Sequence, residues 1–152
     1  MKTVQFLLTV LLFVPLPAIG FANAPTDTID YWHVYYNEDL IEPLNLITGS
    51  TVVEIDPGKV KEGDWISVKY VTDTPCYNCT FVLTVTDEQN RRLRVTQAFQ
   101  PTQKLSVRLR ELIRSMKPGS SKWLDFYHWQ QNEKGDTTRK VLVFQIRLTE
   151  QN

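Results

Sequence analysis

Apolar and polar residues alternate along most of the chain from residue 31 onward, and this alternation predicts a domain built from β-strands. Successive side chains of a strand point to opposite faces, so a period of two marks a strand with one buried face. The alternating segments are rich in β-branched and aromatic residues, and turn residues separate them. We predict strands at residues 31–36, 40–47, 52–55, 65–71, 80–86, 93–99, 105–109, 123–129 and 142–148.

The same alternation predicts which side chains are buried. On the last strand we expect Leu142, Phe144, Ile146 and Leu148 to point inward. Between residues 93 and 99 the apolar pattern continues at Leu93, Val95, Gln97 and Phe99. Pro43 interrupts the segment 40–47, and because proline cannot donate to a sheet ladder, this segment is expected at a sheet edge. Asp56-Pro57-Gly58 predicts a turn, since proline fixes φ and glycine accepts positive φ.

The period changes after residue 109, where Leu109, Leu112, Ile113 and Met116 recur at helical spacing. Lys117-Pro118-Gly119 is a natural helix stop, so we predict one short helix near residues 110–116. A parallel α/β sheet needs helices between its strands, whereas many short strands separated by turns favour a sandwich. The sequence therefore predicts an all-β fold, an antiparallel β-sandwich that is immunoglobulin-like in the broad sense.

The first 22 residues have the pattern of a secretory signal peptide. Lys2 precedes an uncharged apolar run over residues 4–16, and small residues follow at Ala18, Gly20, Ala22 and Ala24. The run is shorter than the roughly 20 residues that a membrane-spanning helix needs. We favour cleavage after Ala22, with Gly20 as the alternative, because Pro25 would directly follow cleavage after Ala24. The protein is expected to be periplasmic or secreted, with no stable membrane insertion after cleavage.

Residues 23–152 are long enough for one domain with its own core, and we predict a single β-sandwich domain there. The chain has 17 Lys and Arg residues and 17 Asp and Glu residues, so without Lys2 the count is 16 against 17. Both signs are scattered, and the run Arg91-Arg92-Leu93-Arg94 lies at a predicted turn. A nucleic-acid partner would require a basic patch or stripe, so we expect none.

Cys76 and Cys79 form a C-x-x-C motif between two predicted strands. In an oxidising compartment the favoured interpretation is a structural disulfide that closes a tight turn. A redox pair usually begins a helix, whose amide groups lower the pKa of a thiol, but the residues after Cys79 have a strand pattern. A structural zinc site would need four ligands. The chain's two histidines, His33 and His128, lie far apart in sequence and far from the cysteines. The disulfide, the redox pair and, last, a metal site remain open.

One predicted strand carries a row of aromatic residues on a single face. Its two faces are Trp123, Asp125, Tyr127 and Trp129 on one side, and Leu124, Phe126 and His128 on the other. If the second face points to the core, the first is an outward row of rings beside a carboxylate. Such a row could bind a protein or stack against sugar rings, or it could simply cover the edges of the core. His33 is either a partly buried structural histidine or a site residue.

Catalytic patterns are absent from the sequence. It contains no G-x-S-x-G and no H-E-x-x-H motif, and two histidines offer little for acid–base chemistry. Acidic pairs such as Glu38-Asp39 lie in predicted turns. We therefore expect no enzyme activity, no cofactor and no metal.

The segments Asp30–Asn37 and Asp73–Cys79 resemble small exported β-domain proteins of Bacteroidota-type bacteria. The resemblance covers about 15 residues and implies an exported bacterial β-domain, but that group has no established activity from which a functional residue could be transferred. The residues themselves favour a non-enzymatic binding or protein-interaction module whose partner is a protein or a glycan. The alternatives are a thiol–disulfide active protein that uses Cys76 and Cys79, and a carbohydrate-binding domain that uses surface aromatic residues.

Overall fold

The computed structural model describes residues 30–45, 50–116 and 122–149, which form nine strands and one short α-helix. The strands are β1 (Tyr31–Tyr36), β2 (Asp39–Asn45), β3 (Thr51–Ile55), β4 (Trp65–Val71), β5 (Thr80–Asp87), β6 (Arg92–Ala98), β7 (Leu105–Arg108), β8 (Trp123–Gln131) and β9 (Val141–Leu148). The helix α1 (Leu109–Ser115) connects β7 to β8. The predicted signal peptide, residues 1–22, lies outside the described residues.

Two sheets pack face to face and enclose one hydrophobic core. Sheet A has the strand order β2-β1-β4-β7, and sheet B has the order β3-β9-β8-β5-β6. The predicted β-sandwich is confirmed. All neighbouring strands are antiparallel except β3 and β9, which pair in parallel. Those two strands are far apart in sequence, so no short connection forces them to run in opposite directions.

The strand order within the sheets is immunoglobulin-like. In sheet B the series β9-β8-β5-β6 follows the G-F-C-C′ order of an immunoglobulin variable sheet. In sheet A the neighbours β4 and β7 take the places of the B and E strands, and the chain crosses between the sheets from β4 to β5. This order determines which loops meet at each end of the sandwich.

Three loops lie at one end of the sandwich, which we call the disulfide end. They are residues 72–79 between β4 and β5, residues 99–104 after β6, and residues 132–140 between β8 and β9. The registers place them together, because Thr80 pairs with Gln131 at the start of β5 and Phe81 pairs with Ala98. The turns at residues 56–64 and 88–91 and the helix α1 lie at the opposite end, the helix end.

The strand and helix predictions hold at most positions. β1 and β4 have the predicted bounds, and α1 begins one residue earlier than predicted. β2 ends at Asn45, and residues 46–49 are outside the described part of the chain. Pro43 lies on β2, which is an edge strand as predicted. At the Asp56 turn a single 3₁₀ turn spans Pro57–Lys59, with the Asp56 side chain accepting from the Gly58 N–H.

Two β-bulges overturn predicted side-chain directions. One lies between Val85 and Thr86, and on the paired strand β6 it is Ala98, not its neighbours, that is buried in the core. Phe99 points outward instead of continuing a buried face. The second bulge, between Phe126 and Tyr127, sets Leu142 opposite the outward-facing Tyr127. A bulge adds one residue to a strand and so reverses the alternation that follows it.

Candidate functional site

The disulfide end is closed by a bond between Cys76 and Cys79, whose Cα atoms are 5.4 Å apart. Cys79 is 8% exposed and belongs to the hydrophobic core, while the intervening Tyr77 and Asn78 point to solvent. The predicted disulfide is present. The residue after Cys79 begins strand β5 and not a helix, so no helix terminus adjoins these sulfur atoms. The bond fixes the turn to the core and holds Tyr77 at its tip.

A groove of about 340 Å³ opens at this end, and all three loops contribute to it. Its lining, the disulfide-end groove, consists of Tyr77, Asn78, Cys79, Thr80, Phe99, Asn132 and Glu133. Tyr77 and Phe99 are 76% and 71% exposed, more than any other large apolar side chain in the described part of the chain. Both side chains therefore expose their rings to solvent at one groove, and a ligand that buried them would remove a large apolar area from water.

Hydrogen bonds within the loops fix the backbone around these side chains. Phe99 follows Ala98 at the end of β6, and the next turn is closed by a hydrogen bond from the Gln103 N–H to the Gln100 carbonyl at 3.1 Å. In the β8–β9 loop the Asn132 amide donates to Asp136 at 3.0 Å and accepts from the Asp136 N–H at 2.9 Å. These contacts shape the loop and present Glu133 at its tip.

The polar side chains of the groove differ in whether they already make hydrogen bonds. Asn132 is committed to its own loop. Asn78, Thr80 and Glu133 make no side-chain hydrogen bond or ion pair within the described residues. The lining contains one carboxylate and no basic side chain. An amide, a hydroxyl and a carboxylate are thus available to a ligand beside the two rings.

The aromatic row predicted as a binding surface lies on the outer face of sheet B. Leu124, Phe126 and His128 are buried, and Trp123, Asp125, Tyr127 and Trp129 are half-buried on the opposite face. Burial, then the charge of Asp125, raises the pKa of the Tyr127 hydroxyl. The row therefore faces away from the core, as predicted, but it is not open to solvent.

Neighbouring side chains already contact this row. The Trp129 indole N–H donates to the Thr84 hydroxyl at 3.2 Å, and Trp129 pairs with Val82, which is fully buried. Asp125 accepts from the Gln145 amide at 2.7 Å. The Arg147 guanidinium lies over the Trp123 ring, 5.5 Å from its centroid, and also pairs with Glu54. The row therefore packs against side chains of both neighbouring strands, β5 and β9.

The outer face of sheet A is covered in a similar way. The Lys104 ammonium lies 4.0 Å from the centroid of the Tyr35 ring and pairs with Glu38 at 3.0 Å. Arg108 lies over the Trp65 ring at 5.1 Å. His33 is half-buried in a row with Tyr31 and Tyr35, with ring centroids 5.2 and 6.2 Å away. Cations thus occupy ring faces on both sheets, whereas no cation of the described residues lies over Tyr77 or Phe99.

Two buried carboxylates at the helix end have structural roles. Asp64 accepts hydrogen bonds from the Tyr36 hydroxyl, from the Lys61 N–H at 2.7 Å and from the Asn37 amide at 3.3 Å. The Tyr36 hydrogen bond, followed by that of Lys61, lowers the pKa of Asp64. Burial and the Asp64 carboxylate raise the pKa of Tyr36 to about 12. This network joins the β1–β2 turn to the start of β4.

Asp87 organises the turn between β5 and β6. It accepts from the Arg91 N–H at 2.8 Å, the Arg91 side chain at 2.9 Å and the Gln89 N–H at 3.1 Å. Burial alone would raise the pKa of Asp87, but the hydrogen bonds and charge of Arg91 outweigh it and lower that pKa. The first arginine of the basic run therefore pairs with an acid inside its own turn.

His128 lies in a cluster of aromatic side chains near the disulfide end. It stacks on Tyr70 at 4.7 Å, and Trp32 and Phe81 complete the cluster at 5.9 and 6.2 Å. Its Nε2 atom and the Trp32 indole nitrogen are buried and have no hydrogen-bond partner among the described residues. Burial lowers the pKa of His128 to about 4, although the Asp30 charge acts in the opposite direction. His128 is neutral at pH 7 and joins the two sheets.

No group of three or more His, Cys, Asp and Glu side chains within the described residues is placed to hold a metal ion. Likewise, none of the helices in this part of the chain has the length and apolar character needed to cross a membrane.

Sequence reasoning missed the groove and its two rings. The C-x-x-C motif was the available signal, because a disulfide around two residues forces the side chains between the cysteines outward. Phe99 carried no such signal, since its alternation with Leu93 and Val95 favoured burial. When the chain is compared with known proteins, no family model, no curated protein and no solved structure matches it.

Proposed function

We propose that this protein is a non-enzymatic binding module that works outside the cytoplasm and holds its ligand in the disulfide-end groove. The observation that carries the proposal is the exposure of Tyr77 and Phe99 on one groove formed by three loops. Large rings are costly to expose, and binding sites are the usual places for them. The disulfide is consistent with an oxidising compartment, in line with the export signal in the sequence.

The fold supports this location by analogy. In immunoglobulin variable domains the B–C, C′–C″ and F–G loops at one end of the sandwich form the binding surface. The loops at residues 72–79, 99–104 and 132–140 occupy the corresponding positions here. Fold alone does not define function, so the analogy adds to the exposed rings without replacing them.

Two other hypotheses have less support. The row from Trp123 to Trp129 is the alternative binding surface, but the Trp129 indole N–H, the Asp125 carboxylate and the Trp123 ring face already have partners. A thiol–disulfide active protein would use Cys76 and Cys79, yet Cys79 is buried in the core and followed by a strand. Redox cysteines are exposed and activated by positive charge or a helix terminus.

Solvent mapping by NMR tests the location of the site. The ¹⁵N-labelled protein is titrated with phenol and with N-methylacetamide, which represent a ring and an amide. We expect shift changes to concentrate at residues 77–80, 99 and 132–133, because exposed rings in a groove attract small organic probes. They should disappear in the double variant Tyr77→Ala/Phe99→Ala and persist in Leu40→Ala, which removes an exposed apolar side chain elsewhere.

The competing location gives a different map. Shift changes centred on Trp123, Tyr127 and Trp129 would move the binding surface to the outer face of sheet B. Weak changes scattered over the whole surface would contradict a dedicated binding site. The double variant is expected to fold normally, since both rings are mainly in solvent, and circular dichroism checks this.

A further inference from the structure

The side chains that line the groove narrow the class of ligand that it can bind. We infer that the disulfide-end groove binds a neutral saccharide, with Tyr77 and Phe99 as stacking rings and Asn78, Thr80 and Glu133 as hydrogen-bonding groups. This inference rests on the proposed function and names its ligand class.

Tyr77 and Phe99 expose ring faces on which a sugar can stack. A pyranose presents patches of C–H groups that pack on the open face of an aromatic ring, so a stacking residue needs an uncovered face. Elsewhere on this surface, cations lie over Tyr35, Trp65 and Trp123. Tyr77 and Phe99 have neither a cation nor another ring against them in the described part of the chain. Tyr77 lies on a turn fixed by the disulfide, and Phe99 lies beside a hydrogen-bonded turn, so binding would cost little conformational entropy of the backbone.

The polar groups of the groove match the hydrogen-bonding pattern of sugar hydroxyls. A sugar hydroxyl both donates and accepts, and it is matched by groups that offer both roles. The Asn78 amide donates and accepts, the Thr80 hydroxyl does the same, and the Glu133 carboxylate accepts. None of these three has a hydrogen-bond partner within the described residues, so a ligand displaces only water from them.

The charge and openness of the groove disfavour other ligand classes. A groove lined by one acid and no basic residue does not attract phosphates or acidic peptides. The prolines of a proline-rich segment have no N–H to donate to Glu133, whereas every sugar hydroxyl can donate. A quaternary ammonium requires rings that enclose it, but here both rings are more than 70% exposed. The volume of about 340 Å³ lies at the lower end of small-ligand sites.

The test is a titration of the purified protein with defined probes, followed by NMR. The saccharide probes are cellohexaose, xylohexaose, mannohexaose and chitohexaose, and the competing probes are choline and a proline-rich decapeptide. We expect at least one saccharide to bind with shift changes at Tyr77, Asn78, Phe99 and Glu133. Tyr77→Ala and Phe99→Ala should each weaken it about tenfold or more, because each loses ring burial and stacking.

Variants of the polar groups separate hydrogen bonding from general stickiness. Glu133→Gln should weaken saccharide binding several-fold, whereas Leu40→Ala, with an exposed apolar side chain outside the groove, should leave it unchanged. Binding that survives both Tyr77→Ala and Phe99→Ala would overturn the inference.

Failure of the inference and failure of the proposed function give different results. If choline or the peptide shifts the groove residues and no saccharide does, the groove binds a ligand but the class is wrong. If none of these probes, nor phenol, shifts the groove residues, both proposals fail.

Discussion

Asp64 shows how single side chains hold the helix end of this sandwich. Its carboxylate is buried, yet it receives hydrogen bonds from a hydroxyl, a backbone N–H and an amide. A buried charge without partners would be strongly destabilising, so these donors are what allow the carboxylate to lie there. A shifted pKa such as that of Asp64 can mark a catalytic group, but the surroundings of Asp64 are those of a structural hydrogen-bond acceptor.

Tyr36→Phe tests this interpretation. The variant removes one donor to a buried carboxylate and little volume, so the free energy of unfolding should fall by about 1.5–3 kcal/mol. Because the Tyr36 hydrogen bond is the leading cause of the lowered pKa of Asp64, that pKa should rise toward its usual range. Chemical denaturation and NMR titration of the carboxyl measure the two effects.

Tyr35→Phe is the matched control. The Tyr35 hydroxyl is half-exposed and lies 3.5 Å from His33, at the limit of a hydrogen bond. Its removal should change stability by less than about 0.5 kcal/mol, as surface substitutions usually do. Equal losses for Tyr35→Phe and Tyr36→Phe would show that the Asp64 network is not specific.

The β4–β5 turn is the element on which the candidate site depends. Its disulfide closes a loop of only four residues, so by loop entropy it stabilises the fold by about 2 kcal/mol or less. The double variant Cys76→Ser/Cys79→Ser should therefore fold, with a small loss of stability in chemical denaturation. The loss of ligand affinity in the groove should be larger than the loss of folding stability, because the turn that presents Tyr77 is no longer fixed.

The same bond distinguishes a structural disulfide from a redox pair. In a glutathione buffer at cellular concentration, alkylation and intact mass should show the bond still closed, since structural disulfides resist such reduction. Alkylated Cys76 and Cys79 under these conditions would favour the thiol–disulfide active alternative. The same mass measurement on exported protein reads the signal cleavage site after Gly20, Ala22 or Ala24.

Strand predictions from the sequence succeed where the alternation is unbroken. β4 follows a regular period of two, and β1 is a run of aromatic and β-branched residues that ends before the Asn37 turn, so the bounds of both could be read directly. Bulges leave no comparable mark in the sequence, which is why the directions of Phe99 and Leu142 were wrong. The parallel β3–β9 pair was also unpredictable, since only the tertiary arrangement brings these strands together.

The groove belongs to the scale of the whole molecule. Tyr77, Phe99 and Glu133 lie in three separate loops, and no local pattern relates them. They come together because the strand order puts the starts of β5, β7 and β9 at one end of the sandwich. Sequence reasoning found the disulfide turn but could not find its neighbours, which requires the order of strands in both sheets.

The aromatic cluster around His128 links the stability of the whole sandwich to pH. Trp32 and Tyr70 come from sheet A, whereas Phe81 and His128 come from sheet B, so the cluster is a contact between the sheets near the disulfide end. Burial lowers the pKa of His128 to about 4. The charge of Asp30 acts against this shift, and Asp30 accepts from the Tyr70 hydroxyl at 2.6 Å.

The folded protein should therefore lose stability in mild acid. An unfolded chain binds a proton at His128 below about pH 6.5, while the folded protein does so only near pH 4, so stability falls across that interval. The full loss corresponds to about 3 kcal/mol. The lowered pKa values of Asp64 and Asp87 act in the same direction but below about pH 4.

His128→Phe separates these contributions, because phenylalanine keeps a ring in the cluster and cannot titrate. Unfolding free energies measured in denaturant from pH 7 to pH 4 should fall for the parent and stay nearly level for this variant. Below pH 4 both proteins should lose stability, since the carboxylates remain. His33→Phe, which replaces the half-buried histidine on the outer face of sheet A, should keep the parent slope. A level parent curve between pH 6.5 and 4 would mean that His128 accepts a proton inside the fold without cost, which its unpartnered position between the two sheets argues against.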